Sequence, residues 1–480
     1  MRYSVLVYIF NMLKTLLEAN KALGEIKDKA LRKDLIDNGL QMINLIKDKL
    51  ELEEKSIKDV TLIKKLDTIL SSWGNVEKQK SIEEELNSLV LEMPNSVEYK
   101  IRVVFFAELG QKWDSMESVY EYMLKDDIFD PIVVLTPIFR IVKDENGNDR
   151  NEVIYKDYLT DMGIPFFEYN QYNIEEDCPD LAFISQPYES CTLPQFWPEY
   201  ISKFTRLVYL PYYAPSVIGP DSRNALCLLP IYKYAWKVLA LNQNHYDYYK
   251  ENKTYECNNI LLTGIPKLDH IFKINQEEIE MPKEWIKISG KKTVLWCSWY
   301  VFDDSSLIYM DEILDWFSEH KDWALIWRLH PMTEVVTKLY YSDKDYEKYI
   351  KAIKRVNESN NMVIDSNALY DKAFKFSKIM LSDYSSMMEQ YLLMNKPIIA
   401  IRDTKKCPIS KTFIDYTYMD MVSTFDDAAK ILENIGNGID LKKEKREEVI
   451  KKDFPFSDGH CGERVCKELV ALMKKEDLEL

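Results

Sequence analysis

Two short apolar runs, Ile101-Arg102-Val103-Val104-Phe105-Phe106 and Pro131-Ile132-Val133-Val134-Leu135, enclose an amphipathic segment. Within that segment Asp114 and Glu117 have the spacing of a helix capping box, which predicts a helix that continues to about Leu124. A strand, a helix and a strand in this order predict a βαβ crossover between parallel strands. The pattern therefore favours an α/β fold built on a parallel sheet.

The same alternation continues along the chain in two series. The first includes a helix at 155–162 and strands at 164–167, 181–184 and 207–210, and the second begins after a polar stretch at 249–259. Its predicted strands are 260–262, 293–296, 324–327, 362–364, 379–381 and 397–400. We predict an α/β, GT-B-like fold, in which two Rossmann-like doubly wound domains face each other across a cleft.

Residues 1–95 show only helical periodicity, so we predict an all-helical N-terminal extension. The predicted domains are this extension, an acceptor-side Rossmann-like domain at 96–255 and a donor-side Rossmann-like domain at 256–480. The apolar stripe of the extension needs a partner. Packing within itself, pairing in a homodimer and contact with a membrane surface would each satisfy it.

Composition excludes several classes of protein. The chain of 480 residues has 79 acidic and 63 basic side chains, a formal charge of −16, and its lysines are interleaved with acids, which argues against a nucleic-acid partner. The 8 cysteines form no CxxC pair and no zinc-like cluster with histidine. The apolar run at 5–10 is too short to cross a membrane. These features predict a soluble, cytoplasmic protein.

Three strand ends in the second series carry groups suited to phosphate. Ser382-Asp383-Tyr384-Ser385-Ser386 lies between a strand and a helix, where unpaired N–H groups and the hydroxyls of Ser385 and Ser386 favour an anion. Arg328 and His330 end a second strand in Trp327-Arg328-Leu329-His330-Pro331. Gly264 and Lys267 follow a third strand. Together they predict a diphosphate site, whereas the absence of GxGxxG and P-loop patterns disfavours dinucleotide redox and NTPase functions.

Over roughly residues 100–470 the sequence resembles the CDP-glycerol glycerophosphotransferases, which build teichoic-acid and capsular polymers. The resemblance rests on an ordered set of segments: Gly264-Ile265-Pro266-Lys267-Leu268-Asp269, Trp327-Arg328-Leu329-His330-Pro331, Ser382-Asp383-Tyr384-Ser385-Ser386, Lys396-Pro397-Ile398-Ile399 and Phe456-Ser457-Asp458-Gly459. It implies a GT-B fold whose C-terminal half holds the nucleotide diphosphate. It also implies that Arg328, His330, Ser385 and Ser386 contact the donor pyrophosphate, with Arg328 and His330 in catalysis.

One departure from the family concerns its W-H-G-T segment, whose histidine is a candidate base. The matching stretch here is Val208-Tyr209-Leu210-Pro211-Tyr212-Tyr213-Ala214, which has no histidine. A different acceptor or donor, a base from elsewhere such as Glu189, or loss of activity would each explain it. On the acceptor side we single out Tyr212, Tyr188 and Glu189, with cleft-wall packing as the alternative role for the tyrosines.

The resemblance implies a transferase that moves a glycerol-phosphate-like group from a CDP-activated donor to a hydroxyl acceptor in teichoic-acid or cell-surface polymer synthesis. No cofactor and no resident metal are expected, since the CDP-linked donor is itself the substrate. The expected partners are this donor and a polymer or lipid-linked acceptor, with peripheral contact to the inner membrane leaflet and a homodimer through the N-terminal helices left open. A GT-B glycosyltransferase that uses a nucleoside-diphosphate sugar and a catalytically inactive scaffold are the alternatives.

Overall fold

The structure is a computed structural model that describes residues 1–59, 61–143, 149–212, 228–251, 259–301, 303, 305–367, 369–383, 385–402 and 413–479. It begins with four helices, as the periodicity predicts: α1 Tyr3–Glu25, α2 Lys29–Leu52, α3 Thr61–Ser72 and α4 Gln79–Ser96. Their apolar residues, among them Leu13, Ile43, Leu66 and Leu86, form one buried cluster. The apolar stripe is therefore satisfied mainly by packing within the helical segment.

The first sheet has seven parallel strands in the order β5-β2-β1-β6-β7-β8-β9. Its strands are β1 Ile101–Ala107, β2 Phe129–Leu135, β5 Phe167–Glu168, β6 Leu181–Ile184, β7 Arg206–Tyr209, β8 Lys237–Ala240 and β9 Ile260–Leu262. A separate antiparallel hairpin consists of β3 Ile138–Lys143 and β4 Asp149–Ile154. The helices of this region are α5 Glu117–Lys125, α6 Ile174–Asp177, α7 Pro198–Ile201, α8 Pro230–Tyr234 and α9 Gln243–Glu251.

The second sheet has six parallel strands in the order β12-β11-β10-β13-β14-β15. These are β10 Lys292–Cys297, β11 Trp323–Arg328, β12 Met362–Asp365, β13 Ile379–Ser382, β14 Ile398–Ile401 and β15 Asp420–Val422. The helices from here to the end of the described chain are α10 Asp269–Gln276, α11 Met310–Glu319, α12 Thr333–Tyr340, α13 Asp343–Glu358, α14 Asp371–Phe376, α15 Met387–Leu392, α16 Phe425–Gly436, α17 Lys443–Asp453 and α18 Cys461–Leu478. Apolar clusters cover both faces of each sheet, which explains the nearly continuous apolar runs of the strands.

Two elements lie elsewhere than predicted. Strand β9, assigned from sequence to the second series, hydrogen-bonds with β8 at the edge of the first sheet. Helix α18 packs against α5, and its Val465 and Leu469 belong to the core of the first sheet. The chain therefore crosses back to the first domain after the second sheet is complete, which the division at 256–480 did not include.

The helix predicted at 155–162 is absent, because Gly163 closes a single turn there. Its φ is 69°, and the N–H groups of Gly163 and Ile164 donate to the carbonyls of Thr160 and Leu159. The predicted capping box is also wrong. Helix α5 begins at Glu117 behind a 3-10 turn at Gly110–Ser115, and the carboxylate of Asp114 bonds to distant side chains.

Among the helices of the described ranges, none combines the length and the apolar character that crossing a membrane requires.

Candidate functional site

Three neighbouring strands of the second sheet end in register at one edge. Cys297 at the end of β10 is paired with Arg328 of β11 on one side and with Ser382 of β13 on the other. Adjacent strands are about 4.8 Å apart, so the loops that follow β11 and β13 start about 10 Å from each other. Of the three strand ends predicted to form one site, those at Arg328 and Ser382 share this edge, whereas β9, which precedes Gly264, belongs to the first sheet.

Asp383 organises the loops at this edge from a fully buried position. Its carboxylate accepts hydrogen bonds from the N–H of Trp299 at 2.7 Å and from both the N–H and the hydroxyl of Ser306 at 2.6 Å. Burial raises the pKa of Asp383 to about 6, although the bonds from Ser306 and Trp299 oppose the shift. The residue thus ties the loop after β13 to the loop after β10.

His330 lies half-buried just beyond β11. The N–H of Met332 donates to its Nδ1 at 3.1 Å, so the neutral ring carries its proton on Nε2. Burial lowers the pKa of His330 to about 4, and the ring is therefore neutral at pH 7. In this state Nε2–H donates a hydrogen bond, which suits an electrophilic role toward a phosphate oxygen better than that of a base.

A chain of contacts runs from His330 to Asp383, in the loop that precedes the serine pair. The ring of His330 packs on that of Tyr300 with 4.8 Å between centroids, and Tyr300 packs on Trp299 at 5.2 Å. The N–H of Trp299 in turn bonds to Asp383, two residues before Ser385. The sequence analysis did not single out Trp299 and Tyr300, although an aromatic pair one residue after a buried strand was a signal for them.

Ser385 and Ser386 are half-buried at the start of α15. The hydroxyl of Ser385 accepts a hydrogen bond from the N–H of Met387 at 3.2 Å, and Ser386 is the N-cap residue without a side-chain cap bond. Tyr384, between them and Asp383, lies outside the described residues. Binding of phosphate by the two serines stays a prediction.

The side chain of Arg328 is directed toward the neighbouring strand β12. Its Nη1 donates to Asp365 of β12 at 2.5 Å and to the carbonyls of Asn367 and Leu369 at 3.1 and 3.3 Å. Since β12 and β13 lie on opposite sides of β11, these bonds fix the loop after β12. Among the described residues, Nη1 of Arg328 bonds to the end of β12 and the loop after it, and contact of Arg328 with the donor phosphate stays a prediction.

Gly264 and Lys267, predicted to bind donor phosphate, have contacts that explain them structurally. Gly264 has a φ of 86°, and a Cβ there would lie 2.7 Å from Cβ of Phe456. The Lys267 amine is buried in an ion pair with Asp114, which also accepts a hydrogen bond from Tyr370 at 3.0 Å. We therefore assign both residues to the junction between the two sheets in place of the phosphate site.

The acceptor-side residues lie at the carboxyl edge of the first sheet. Tyr212 follows β7, and the Lys112 amine is 4.6 Å from the centre of its ring. Burial and the neighbouring Tyr188 and Glu108 raise the pKa of Tyr212, so its phenol stays protonated at neutral pH and is no base. Tyr213 lies outside the described residues.

Tyr188 and Glu189 begin a short 3-10 turn, Glu189–Cys191, beyond β6. Burial, followed by repulsion from Glu199, raises the pKa of Glu189. The Glu189 carbonyl accepts a hydrogen bond from the indole of Trp197 at 3.1 Å. Proximity to a reacting hydroxyl is not tested by these contacts, and the acceptor role of both residues stays a prediction.

Two buried charged residues at the strand ends escaped the sequence reading. Arg402 follows β14, where burial lowers its pKa to about 10 while Tyr416 and Asp383 counteract the shift. Glu108 follows β1 and pairs with Lys112 at 2.9 Å. A charged residue directly after an apolar strand was the available signal in both cases.

Comparisons with known proteins agree with this architecture. The family described as CDP-glycerol:poly(glycerophosphate) glycerophosphotransferase matches residues 229–471, about half of the chain. The chain belongs to this family. The match includes the strand ends that carry His330 and Ser385, and it confirms the family resemblance inferred from the sequence.

Curated relatives and solved structures extend the comparison. The teichoic acid poly(ribitol-phosphate) polymerase of Bacillus spizizenii is 22% identical over 302 residues, which cover 61% of this chain and 45% of the relative. The wall teichoic acid polymerase TagF, in a variant with CDPG, has a TM-score of 0.52 at 16% identity and covers 88% of this chain and 100% of its own. A UDP-N-acetylglucosamine 2-epimerase described as putative, from Listeria monocytogenes, has a TM-score of 0.52 at 11% identity, covering 79% and 98%. The fold is thus GT-B-like, as predicted, and the chain spans less than half the length of the curated relatives that it matches.

Proposed function

We propose that this protein transfers a polyol phosphate group from a CDP-activated donor to a hydroxyl acceptor in the synthesis of teichoic acid or a related cell-surface polymer. The observation that carries the proposal is the family match over residues 229–471, which contains the sheet edge where the strands preceding His330 and Ser385 end. The acceptor is the hydroxyl end of a polymer or of a lipid-linked primer, in line with the polymerase names of the relatives.

Phosphoryl transfer requires the protein to stabilise charge and to position the reactants, and it does not require a nucleophile from the protein. The acceptor oxygen attacks the phosphorus that carries the polyol, and CMP leaves with the electron pair of the broken bond. Nε2–H of His330 donates to a phosphate oxygen as negative charge develops, and hydroxyls of Ser385 and Ser386 hold the diphosphate. Cytoplasmic location with contact to the inner leaflet follows from such an acceptor and stays a prediction, as does a homodimer.

Donor identity is tested by binding and turnover. Thermal shifts with CDP, UDP and GDP separate a cytidine donor from those of sugar transferases, and CMP release from CDP-glycerol and CDP-ribitol identifies the polyol. We expect stabilisation by CDP at concentrations where UDP and GDP have little effect. Stabilisation by UDP or GDP but not CDP, or absence of CMP release with both donors, would contradict the proposal.

His330→Ala tests the site within the active protein. We expect kcat to fall by about 10²–10⁴-fold, as for loss of one positioned transition-state donor, with donor affinity nearly unchanged. His460→Ala is the matched control, because the His460 side chain is 71% exposed and its Nδ1 lies 3.5 Å from the carboxylate of Glu463. Equal rates for wild type and His330→Ala would remove His330 from the mechanism. Replacement of Ser385 and Ser386 by alanine should mainly weaken donor binding, as measured by calorimetry.

A further inference from the structure

Glu108 lies at the middle of the carboxyl edge of the first sheet. It directly follows β1, which β2 and β6 flank. Its side chain is only 4% exposed, and its carboxylate accepts hydrogen bonds from the Lys112 amine at 2.9 Å and from the backbone N–H of Gln186. The carboxylate is therefore kept out of bulk water and bonded to two donors.

The surroundings of Glu108 belong to the acceptor side. Lys112 contacts the ring of Tyr212, and Gln186 directly precedes the Pro187-Tyr188 pair. Oε1 of Gln186 is buried and accepts no hydrogen bond within the described part of the chain. The cluster therefore combines one carboxylate with an amide oxygen, two acceptors suited to the proton of a hydroxyl.

The 3-10 turn at Gly110–Ser115, which contains Lys112, also contacts the second domain. Asp114, two residues after Lys112, accepts a hydrogen bond from the Tyr370 hydroxyl at 3.0 Å. Tyr370 follows Leu369, whose carbonyl accepts a hydrogen bond from Arg328. The carboxyl edges of the two sheets are thus joined by the contact of the 110–115 turn with Tyr370, and Glu108 lies two residues before this turn.

We propose that Glu108 is the general base of the transfer reaction, in place of the W-H-G-T histidine, the candidate base of the family, which this sequence lacks. The inference rests on the proposed function. The carboxylate takes the proton of the acceptor hydroxyl while that oxygen forms a bond to the phosphorus carrying the polyol. The bond from this phosphorus to the bridging oxygen breaks, and its electron pair leaves with CMP.

The electrostatics support this assignment. Burial raises the pKa of Glu108, and Lys112 and Gln186 limit the rise, so its carboxylate is more basic than that of an exposed glutamate. The ionisable groups that face it are Lys112, Tyr158, Tyr209 and Tyr212. Burial raises the pKa of all three tyrosines, so none of them titrates where the carboxylate does.

Rates of CMP release as a function of pH test the proposal. Glu108→Gln should lower kcat by about 10²–10⁴-fold, leave donor affinity by calorimetry unchanged, and abolish the acidic limb of the pH profile. Glu108→Asp should retain part of the rate and the limb. Glu176→Gln, an exposed carboxylate on the same domain, is the control that should match wild type.

Lys112→Met separates catalysis from structure. It removes the ion pair but keeps the carboxylate, so it should shift the acidic limb to higher pH with a smaller loss of rate. If Glu108→Gln remains within about threefold of wild type, or if the limb is unmoved in both variants, Glu108 is only a structural partner of Lys112 and this inference is wrong. If wild type releases no CMP from either donor, the proposed function is overturned and this inference with it.

Discussion

Removal of His270 should loosen the junction between the two sheets. Its Nδ1 lies 2.6 Å from Glu117 of α5, and its Nε2 lies 2.8 Å from Asp371 of α14. The imidazole is 6% exposed, and the two carboxylates overcome the desolvation that would otherwise neutralise it, raising the pKa of His270 to about 10. At pH 7 the residue is therefore a cation that bridges both domains, and His270→Ala deletes that bridge.

The expected loss of stability in His270→Ala follows from the shift in the pKa of His270. An increase from 6.5 to about 10 corresponds to about 5 kcal/mol at ~1.4 kcal/mol per unit, and breaking buried ion pairs costs about 3–5 kcal/mol. Glu117 keeps a second cation, Lys273, at 2.9 Å, which leaves Asp371 as the carboxylate that loses its cation here. We therefore expect the lower end, about 3 kcal/mol in the free energy of unfolding.

The raised pKa of His270 also determines how its contribution to stability changes with pH. Because the folded pKa lies above the unfolded one, the contribution of His270 is complete below pH ~6.5 and is lost as the pH rises toward 10. The difference in urea-unfolding free energy between wild type and His270→Ala should thus shrink from pH 6 to pH 9.5. NMR of the chain's 5 histidines should show His270 still protonated at pH 8, and His330 already neutral at pH 6.

His460→Ala is the control, since an exposed pair contributes about 0–1 kcal/mol. A loss under 1 kcal/mol for His270→Ala, or a difference that grows with pH, would refute the reasoning. So would an NMR titration of His270 near pH 6.5.

Two further substitutions examine the junction and the donor edge. Lys267→Met should lower the melting temperature, because it leaves the buried Asp114 carboxylate without its cation. The affinity for CDP should not change. A selective loss of CDP affinity, measured by calorimetry, would instead assign Lys267 to the phosphate site. Asp383→Asn should destabilise the protein by about 1–3 kcal/mol in urea unfolding, because its amide NH₂ must face one of the N–H donors of Trp299 or Ser306; unchanged stability would show that these bonds contribute little.

Local patterns in the sequence were sufficient to predict the strands at the centre of each sheet and the helices between them. The apolar runs at 101–106 and 131–135 correspond to β1 and β2, and α5 lies between them. The strand ends at Arg328 and Ser382 were predicted at one edge because parallel strands that alternate with helices place all carboxyl ends on the same side. Family membership followed from the order of these segments.

Local patterns could not predict contacts between residues that are far apart in the chain. Strand β9 has the composition of any buried strand, and only its hydrogen bonds to β8 assign it to the first sheet. Asp114 has the residue type and spacing of a helix cap, but a lysine 153 positions away takes its carboxylate. Lys267 was interpreted as a phosphate ligand for the same reason, since a sequence does not display the acid that neutralises a buried amine.

The segment at 264–273 shows how residues distant from the chemistry can still determine it. Both oxygens of the Asp269 carboxylate accept hydrogen bonds, from the N–H groups of Cys461 and Gly462 at 3.1 and 2.9 Å, and so hold the start of α18. Lys267 and His270 connect the same segment to Asp114 and Glu117 on the first domain. The proposed transfer, from a donor at one sheet to an acceptor at the other, requires alignment within fractions of an ångström. We therefore interpret this segment as the element that fixes the two carboxyl edges relative to each other, so its substitution should alter turnover through the distance between Glu108 and His330 and leave the phosphate contacts themselves intact.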